Sequence, residues 1–120
     1  MTADIAVLTL RCARGAAAQQ AALDAWLVAS PGAPCAVIAE GALWPLQAGS
    51  AEIVQLAACP CCLGAVPLRV ALTRLLRQSR PRALLVLLAS AEHLPRLRAQ
   101  IEGGAFGAIR LDAPEPGATV

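Results

Sequence analysis

The chain has 120 residues, a net charge of +2 at pH 7 and a hydrophobic content of 58%. This length is enough for one domain with a buried core, and so small a net charge gives no support for nucleic-acid binding. All ten basic residues are arginine, which excludes any chemistry that requires a lysine.

The mean hydropathy of +0.61 is high, but alanine supplies much of it. The longest uncharged stretch, residues 53–68, contains two prolines and is too short for a spanning helix, so a membrane segment is not predicted. The N-terminus has no basic cluster before its first apolar run and does not resemble a signal peptide. We therefore expect a cytoplasmic protein, in which clustered cysteines favour metal or redox chemistry over structural disulfides.

The hydrophobic pattern predicts eight elements, with strands at apolar runs and helix ends at prolines and glycines. They are a strand at 5–10, a helix at 16–30, strands at 35–39 and 52–56, a helix from 67 that stops at 79–81, a strand at 83–89, a helix at 95–102 and a strand at 108–111. Uniformly apolar strands that alternate with helices predict an α/β domain, a three-layer sandwich with a mostly parallel sheet. We expect residues 1–111 to form this single domain and residues 112–120 to form a flexible tail.

Two helices have a clear apolar face. The first is expected to bury Ala22, Leu23, Trp26 and Leu27. The second has an apolar stripe of Leu68, Leu72, Leu75 and Leu76, opposite a polar row of Arg69, Thr73, Arg74 and Arg77. The arginines are either a solvated face or a patch for an anionic partner. The absence of interleaved aromatic residues leaves base stacking unsupported.

The densest chemical signal is Cys59-Pro60-Cys61-Cys62, which holds three of the five cysteines. Three thiolates in so short a segment can converge on one soft metal ion, with another residue as the fourth ligand. The adjacent pair makes ordinary disulfide architecture unfavourable. Two alternatives stay open: buried free thiols, and a Cys-x-x-Cys redox pair of Cys59 and Cys62 before a helix. We call Cys59, Cys61 and Cys62 the cysteine motif.

This order of elements, with a Cys-x-Cys-Cys segment before a helix, resembles the CobW family of P-loop GTPases, which act as metal chaperones or insertases for zinc or cobalt. The family's Gly-Cys-x-Cys-Cys motif reads Ala58-Cys59-Pro60-Cys61-Cys62 here, and Arg80-Pro81 precedes the next strand as in the family. The resemblance spans residue 5 to about residue 111 and covers the first part of the family's GTPase domain. It implies a shortened P-loop-like fold and a bound zinc or cobalt ion.

The nucleotide-binding segment departs from the family pattern. A P-loop needs glycines, a lysine and a Ser or Thr hydroxyl. The departures are Ala18 at the position of the lysine, Gln19 at that of the hydroxyl, and Cys12 and Ala17 at those of glycines. Gly15 is retained, and Arg14 could still hold an anion at the helix start. We therefore expect no enzyme activity and no bound GTP, with weak nucleotide binding left open.

Three residues are candidates for a fourth metal ligand. His93, the single histidine, follows a strand, and Cys12 lies in the predicted first strand-to-helix loop; both could reach the edge where the parallel strands end. Glu40 follows the second strand, about where the family has an Asn-Glu pair, so the resemblance implies a role for it. Cys35 begins a strand at the opposite end and is expected in the core.

The leading hypothesis is a non-catalytic CobW-like domain that binds zinc or cobalt through the cysteine motif as a metal carrier or sensor. The alternatives are a metal-independent module that pairs with a full-length GTPase, and a thiol redox protein. A strand left at the edge of the sheet also makes a homodimer an expectation.

Overall fold

The protein is described by a computed structural model that covers residues 6–29, 34–40, 46, 52–56, 66–78, 81–89, 91–104 and 109–111. Its elements are β1 (Ala6–Cys12), α1 (Ala16–Ala29), β2 (Cys35–Glu40), β3 (Glu52–Leu56), α2 (Val66–Gln78), β4 (Ala83–Leu88), α3 (Leu94–Glu102) and β5 (Ile109–Leu111). The eight predicted elements are thus confirmed in type and order, with boundaries within two residues. The cysteine motif and the predicted tail at residues 112–120 lie outside the described residues.

The five strands form one sheet in the order β3-β2-β4-β1-β5, and every pairing is parallel. The pairs Cys12↔Leu88 and Glu40↔Leu56 place the ends of neighbouring strands level with one another. We call this side of the sheet, where the chain leaves each strand, the carboxyl edge. The predicted parallel α/β sheet is confirmed.

The central strands are buried on both faces, because successive side chains of a strand point to opposite sides. In β4, Leu84, Val86 and Leu88 pack with the leucines of α2 and α3, whereas Leu85 and Leu87 pack with α1. The helices therefore cover both sides of the sheet, and the predicted three-layer sandwich is confirmed. This double coverage explains why the strands are continuous apolar runs.

Helix α2 packs through the predicted stripe. Leu68, Leu72 and Leu75 are at most 1% exposed, and Leu76 is half-buried against the same cluster. The stripe follows the spacing of neighbouring helical turns, so one face of the helix supplies the core contacts. The arginines on the opposite face are exposed.

Helix α1 packs through its predicted apolar face, but that face is less completely buried than the leucine stripe of α2. Leu23 is fully buried, and Trp26 and Leu27 are half-buried against the same cluster. Leu46, from the connection between β2 and β3, packs on this same face. Within the described residues, no helix has the length and apolar character needed to cross a membrane.

Candidate functional site

The carboxyl edge contains the topological switch point of the sheet. After β1 the chain continues into α1 on one face, and after the neighbouring β4 it continues into α3 on the other face. Two connections that leave adjacent strands in opposite directions open a crevice, which is where ligands bind in open α/β sheets. Three of the predicted candidates, Cys12, Glu40 and His93, lie at or just after the ends of β1, β2 and β4.

Cys12 is the last residue of β1, which corrects the prediction that it lies in the loop. The strand extends this far because its pairing with β4 continues to Leu88. Cys12 is half-buried and packs against the cluster under α2 and α3. Burial raises the pKa of the Cys12 thiol, and the negative charge of Glu40 raises it further. The thiol is therefore protonated at neutral pH and would have to lose a proton to bind a metal.

Glu40 is the last residue of β2, which corrects the prediction that the strand ends at Ala39 and Glu40 follows it. Its Oε1 accepts a hydrogen bond from the backbone N–H of Ala89 at 3.0 Å. By alternation from Ala36 and Ile38, Glu40 lies on the same face of the sheet as Cys12. A carboxylate offers about four lone-pair positions, so one hydrogen bond leaves room for a further ligand contact.

Gln19 is a site residue that sequence reasoning missed. Its side chain is fully buried, and its Nε2 donates to the backbone oxygens of Ala13 at 3.2 Å and Glu40 at 3.1 Å. It therefore ties the connection after β1 to the end of β2. Its Oε1 is buried and accepts no hydrogen bond from the part of the chain that the structure describes. Its burial could have been inferred from its position four residues before Leu23, because residues four apart lie on the same side of a helix.

The turn before α1 keeps one feature of a phosphate-binding loop and lacks the others. Gly15 has a positive φ of 93°, a conformation that favours glycine, and its carbonyl accepts the first helical hydrogen bond from Gln19 at 3.0 Å. The next three residues, 16–18, are exposed alanines, whose methyl groups offer no donor to a phosphate. Arg14 is exposed beside them.

His93 occupies the N-cap position of α3, five residues beyond the end of β4. Its side chain makes no capping hydrogen bond, and its Nε2 lies 3.9 Å from Oε1 of Glu92. The predicted position at the end of the strand is therefore displaced into the following helix cap. Among the described residues, no group of three His, Cys, Asp or Glu side chains is arranged to hold a metal ion.

Cys35 begins β2 at the opposite end of the sheet, as predicted. It is half-buried rather than enclosed, because it is the first residue of its strand and follows the exposed Pro34. Burial raises the pKa of its thiol. Its position at the far end of β2 separates it from the carboxyl edge.

The cysteine motif belongs to the segment that joins β3 to α2. Leu56 ends β3 and is the register partner of Glu40, while α2 begins at Val66. No family model, curated protein or solved structure matches this chain.

Proposed function

We propose that this domain binds a thiophilic divalent metal ion, zinc or cobalt, through Cys59, Cys61 and Cys62, and acts as a non-catalytic metal carrier or sensor. The observation that carries the proposal is the pairing of Leu56 with Glu40 at the carboxyl edge, because the segment with the cysteine motif starts from that pair. The proposal includes a cytoplasmic location and a partner that is a second copy or a CobW-like GTPase.

The chemistry of the donors supports this choice of metal. Thiolates favour zinc and other soft or borderline ions over magnesium and calcium. Three thiolates leave one position of a tetrahedron, which a carboxylate or an imidazole can fill. The three cysteines of the motif are thus the main ligands in this proposal.

Glu40 is the fourth ligand that we propose. Neighbouring strands lie about 4.8 Å apart, so Glu40 is one strand spacing from the end of β3, whereas Cys12 on β1 is three spacings, or about 14 Å, away. His93 follows β4, two spacings away, and lies a further five residues along the chain. Position along the edge thus ranks Glu40 first, His93 second and Cys12 third.

The contacts of Glu40 support this role. Its carboxylate is oriented by the N–H of Ala89, and its backbone carbonyl is held by Nε2 of Gln19. Hydrogen bonds to a ligand residue fix its orientation and strengthen binding, because less freedom is lost when the metal arrives. Glu40 is thus held before binding, on the face of the sheet that α2 covers.

Titration with cobalt(II) tests the proposal directly, since bound thiolates give ligand-to-metal charge-transfer bands in the near ultraviolet. We expect saturation at one equivalent, tetrahedral d–d bands in the visible and loss of both signals in the C59S/C61S/C62S variant. The C12S/C35S variant, which removes the other two cysteines, should titrate as the unmodified protein does. Absence of thiolate bands in the unmodified, fully reduced protein would contradict the proposal.

Substitution of the candidate fourth ligands assigns that position. We expect E40Q to weaken cobalt binding by at least about tenfold, because even the loss of an outer-shell partner of a metal ligand typically costs about 10- to 100-fold in affinity, and H93Q to have a smaller effect. If H93Q weakens binding and E40Q does not, the ranking by strand spacing is wrong.

A further inference from the structure

The outer face of α2 has features that metal binding does not use. Its inner face is the leucine stripe in the core, whereas Arg69, Arg74 and Arg77 are exposed on the other side. Between them lies Val70, an apolar side chain that is 54% exposed. A single exposed valine is ordinary on a protein surface, so the distinguishing feature of this face is that the valine shares one groove with three arginines.

These residues line an open groove of about 440 Å³. Its lining consists of Arg69, Val70, Thr73, Arg74, Arg77 and Gln78. Side chains four residues apart share one side of a helix, so the lining forms two neighbouring rows, 69–73–77 and 70–74–78. We call this surface the arginine groove.

The positive charge of the arginine groove is not neutralised within the described structure. Helix α2 contains no acidic residue, and none of its three exposed arginines pairs with a carboxylate of the described residues. Three guanidinium groups within about 12 Å along one helix repel each other, and an approaching anionic group would relieve this repulsion.

We propose that the arginine groove docks an acidic amphipathic segment of a protein partner. Arginine binds carboxylates through two parallel hydrogen bonds, so carboxylates on successive turns of a partner helix would match the arginine rows. Val70 and the aliphatic stems of the arginines would contact apolar side chains of the same segment.

Two other anionic partners fit the groove less well. A membrane surface would require an apolar helix face to insert, and the apolar face of α2 is already buried in the core. A single-stranded nucleic acid would require aromatic side chains for stacking, and none lines the groove. The proposal does not depend on the metal site, since the groove lies on the outer face of α2.

Fluorescence anisotropy tests the proposal, with a labelled helical peptide that has glutamates at every fourth position and leucines beside them. We expect saturable binding that weakens with added salt, as exposed charge pairs do. R69Q/R74Q/R77Q should weaken binding at least about tenfold. The control R14Q/R96Q/R110Q loses the same three charges at exposed positions outside the groove and should change affinity less than about twofold.

Further measurements separate the contributions. V70S should weaken binding severalfold without changing its salt dependence, and C59S/C61S/C62S should bind as tightly as the unmodified protein. All these substitutions outside the motif are at exposed positions, and circular dichroism would verify the fold of each variant. Equal losses in the two arginine variants, tighter binding to a labelled DNA duplex than to the peptide, or no saturable binding would overturn the proposal.

Discussion

The two faces of the sheet are built in different ways. Under α2 and α3 the buried residues are apolar, with Leu68, Leu72 and Leu75 packed on the central strands. Under α1 the buried apolar cluster is smaller, and the helix also buries Gln19 next to the carboxyl edge. One face therefore provides most of the apolar burial that drives folding, while the other uses a polar side chain to hold the ends of two strands.

The largest expected effect distinguishes the two apolar clusters. L75A removes a fully buried side chain from α2 and should lower the free energy of unfolding by about 2 to 5 kcal/mol. L27A removes a half-buried side chain from α1 and should cost about 1 to 2 kcal/mol. Chemical denaturation measures both. Equal losses would show that the α1 face contributes as much as the α2 face.

The second effect is the loss of stability when the buried hydrogen bonds of the Gln19 side chain are removed. Q19A leaves the carbonyls of Ala13 and Glu40 without their shared donor and should lower the free energy of unfolding by about 1 to 3 kcal/mol. Q20A provides the control, because the Gln20 side chain bonds Asp24 on the exposed side of α1. It should cost no more than about 0.5 kcal/mol. A Q19A variant as stable as Q20A would mean that these hydrogen bonds contribute nothing to stability.

A smaller effect is expected at Glu40. E40A removes the acceptor for the N–H of Ala89 and should cost about 1 kcal/mol, whereas E40Q keeps an acceptor oxygen and should cost less. Amide hydrogen exchange gives the local readout: exchange at Ala89 should accelerate in E40A and stay close to the unmodified rate in E40Q. Unchanged exchange in E40A would show that this contact is not formed in solution.

The smallest expected effect is a dependence of the free energy of unfolding on pH. The chain has no lysine and no tyrosine, so cysteines and the N-terminal amine dominate titration in moderately alkaline solution. Folding raises the pKa of Cys12 above its ordinary value of 9.0, through burial first and Glu40 second. Since the folded state favours the neutral thiol, this contribution to stability is complete below about pH 9 and is lost as pH rises through the folded pKa.

Chemical denaturation between about pH 8 and 11, in the C59S/C61S/C62S background, measures this loss. C12S should make the fall in the free energy of unfolding with rising pH less steep, because the thiol that titrates is removed. E40Q should also make it less steep, because it removes the negative charge that raises the pKa of Cys12. C35S should flatten the decline by a separate amount, since burial alone raises the pKa of that thiol. A decline that is identical with and without Cys12 would contradict the assignment.

Most of the fold could be predicted from the sequence, because it depends on local signals. Continuous apolar runs in the sequence predicted the strands, which are buried on both faces of the sheet. Leucines at helical spacing predicted the face of α2 that packs in the core. The order of strands across the sheet could not be derived, because it depends on which runs pair over long separations. The strand ends at Cys12 and Glu40 were misplaced for the same reason, since pairing with β4 and β3 extends β1 and β2.

The candidate site was predicted in part. The rule that ligands collect where parallel strands end predicted Cys12 at this edge, and the family resemblance pointed to Glu40. Both residues end strands at the carboxyl edge, and the charge of Glu40 raises the pKa of the Cys12 thiol. Gln19 was missed because its partner at Glu40 is 21 residues away, and no local pattern indicates that contact. The thiol chemistry of the cysteine motif stays a prediction from the sequence.

The metal content of the protein tests the central claim most directly. We would purify it under reducing conditions without added metal, alongside C59S/C61S/C62S and the control C12S/C35S, and measure zinc and cobalt by elemental analysis. We predict close to one metal ion per chain in the unmodified protein and the control, and loss of that metal in the triple variant. No metal in the unmodified protein and none taken up on titration, or equal metal in all three proteins, would contradict it.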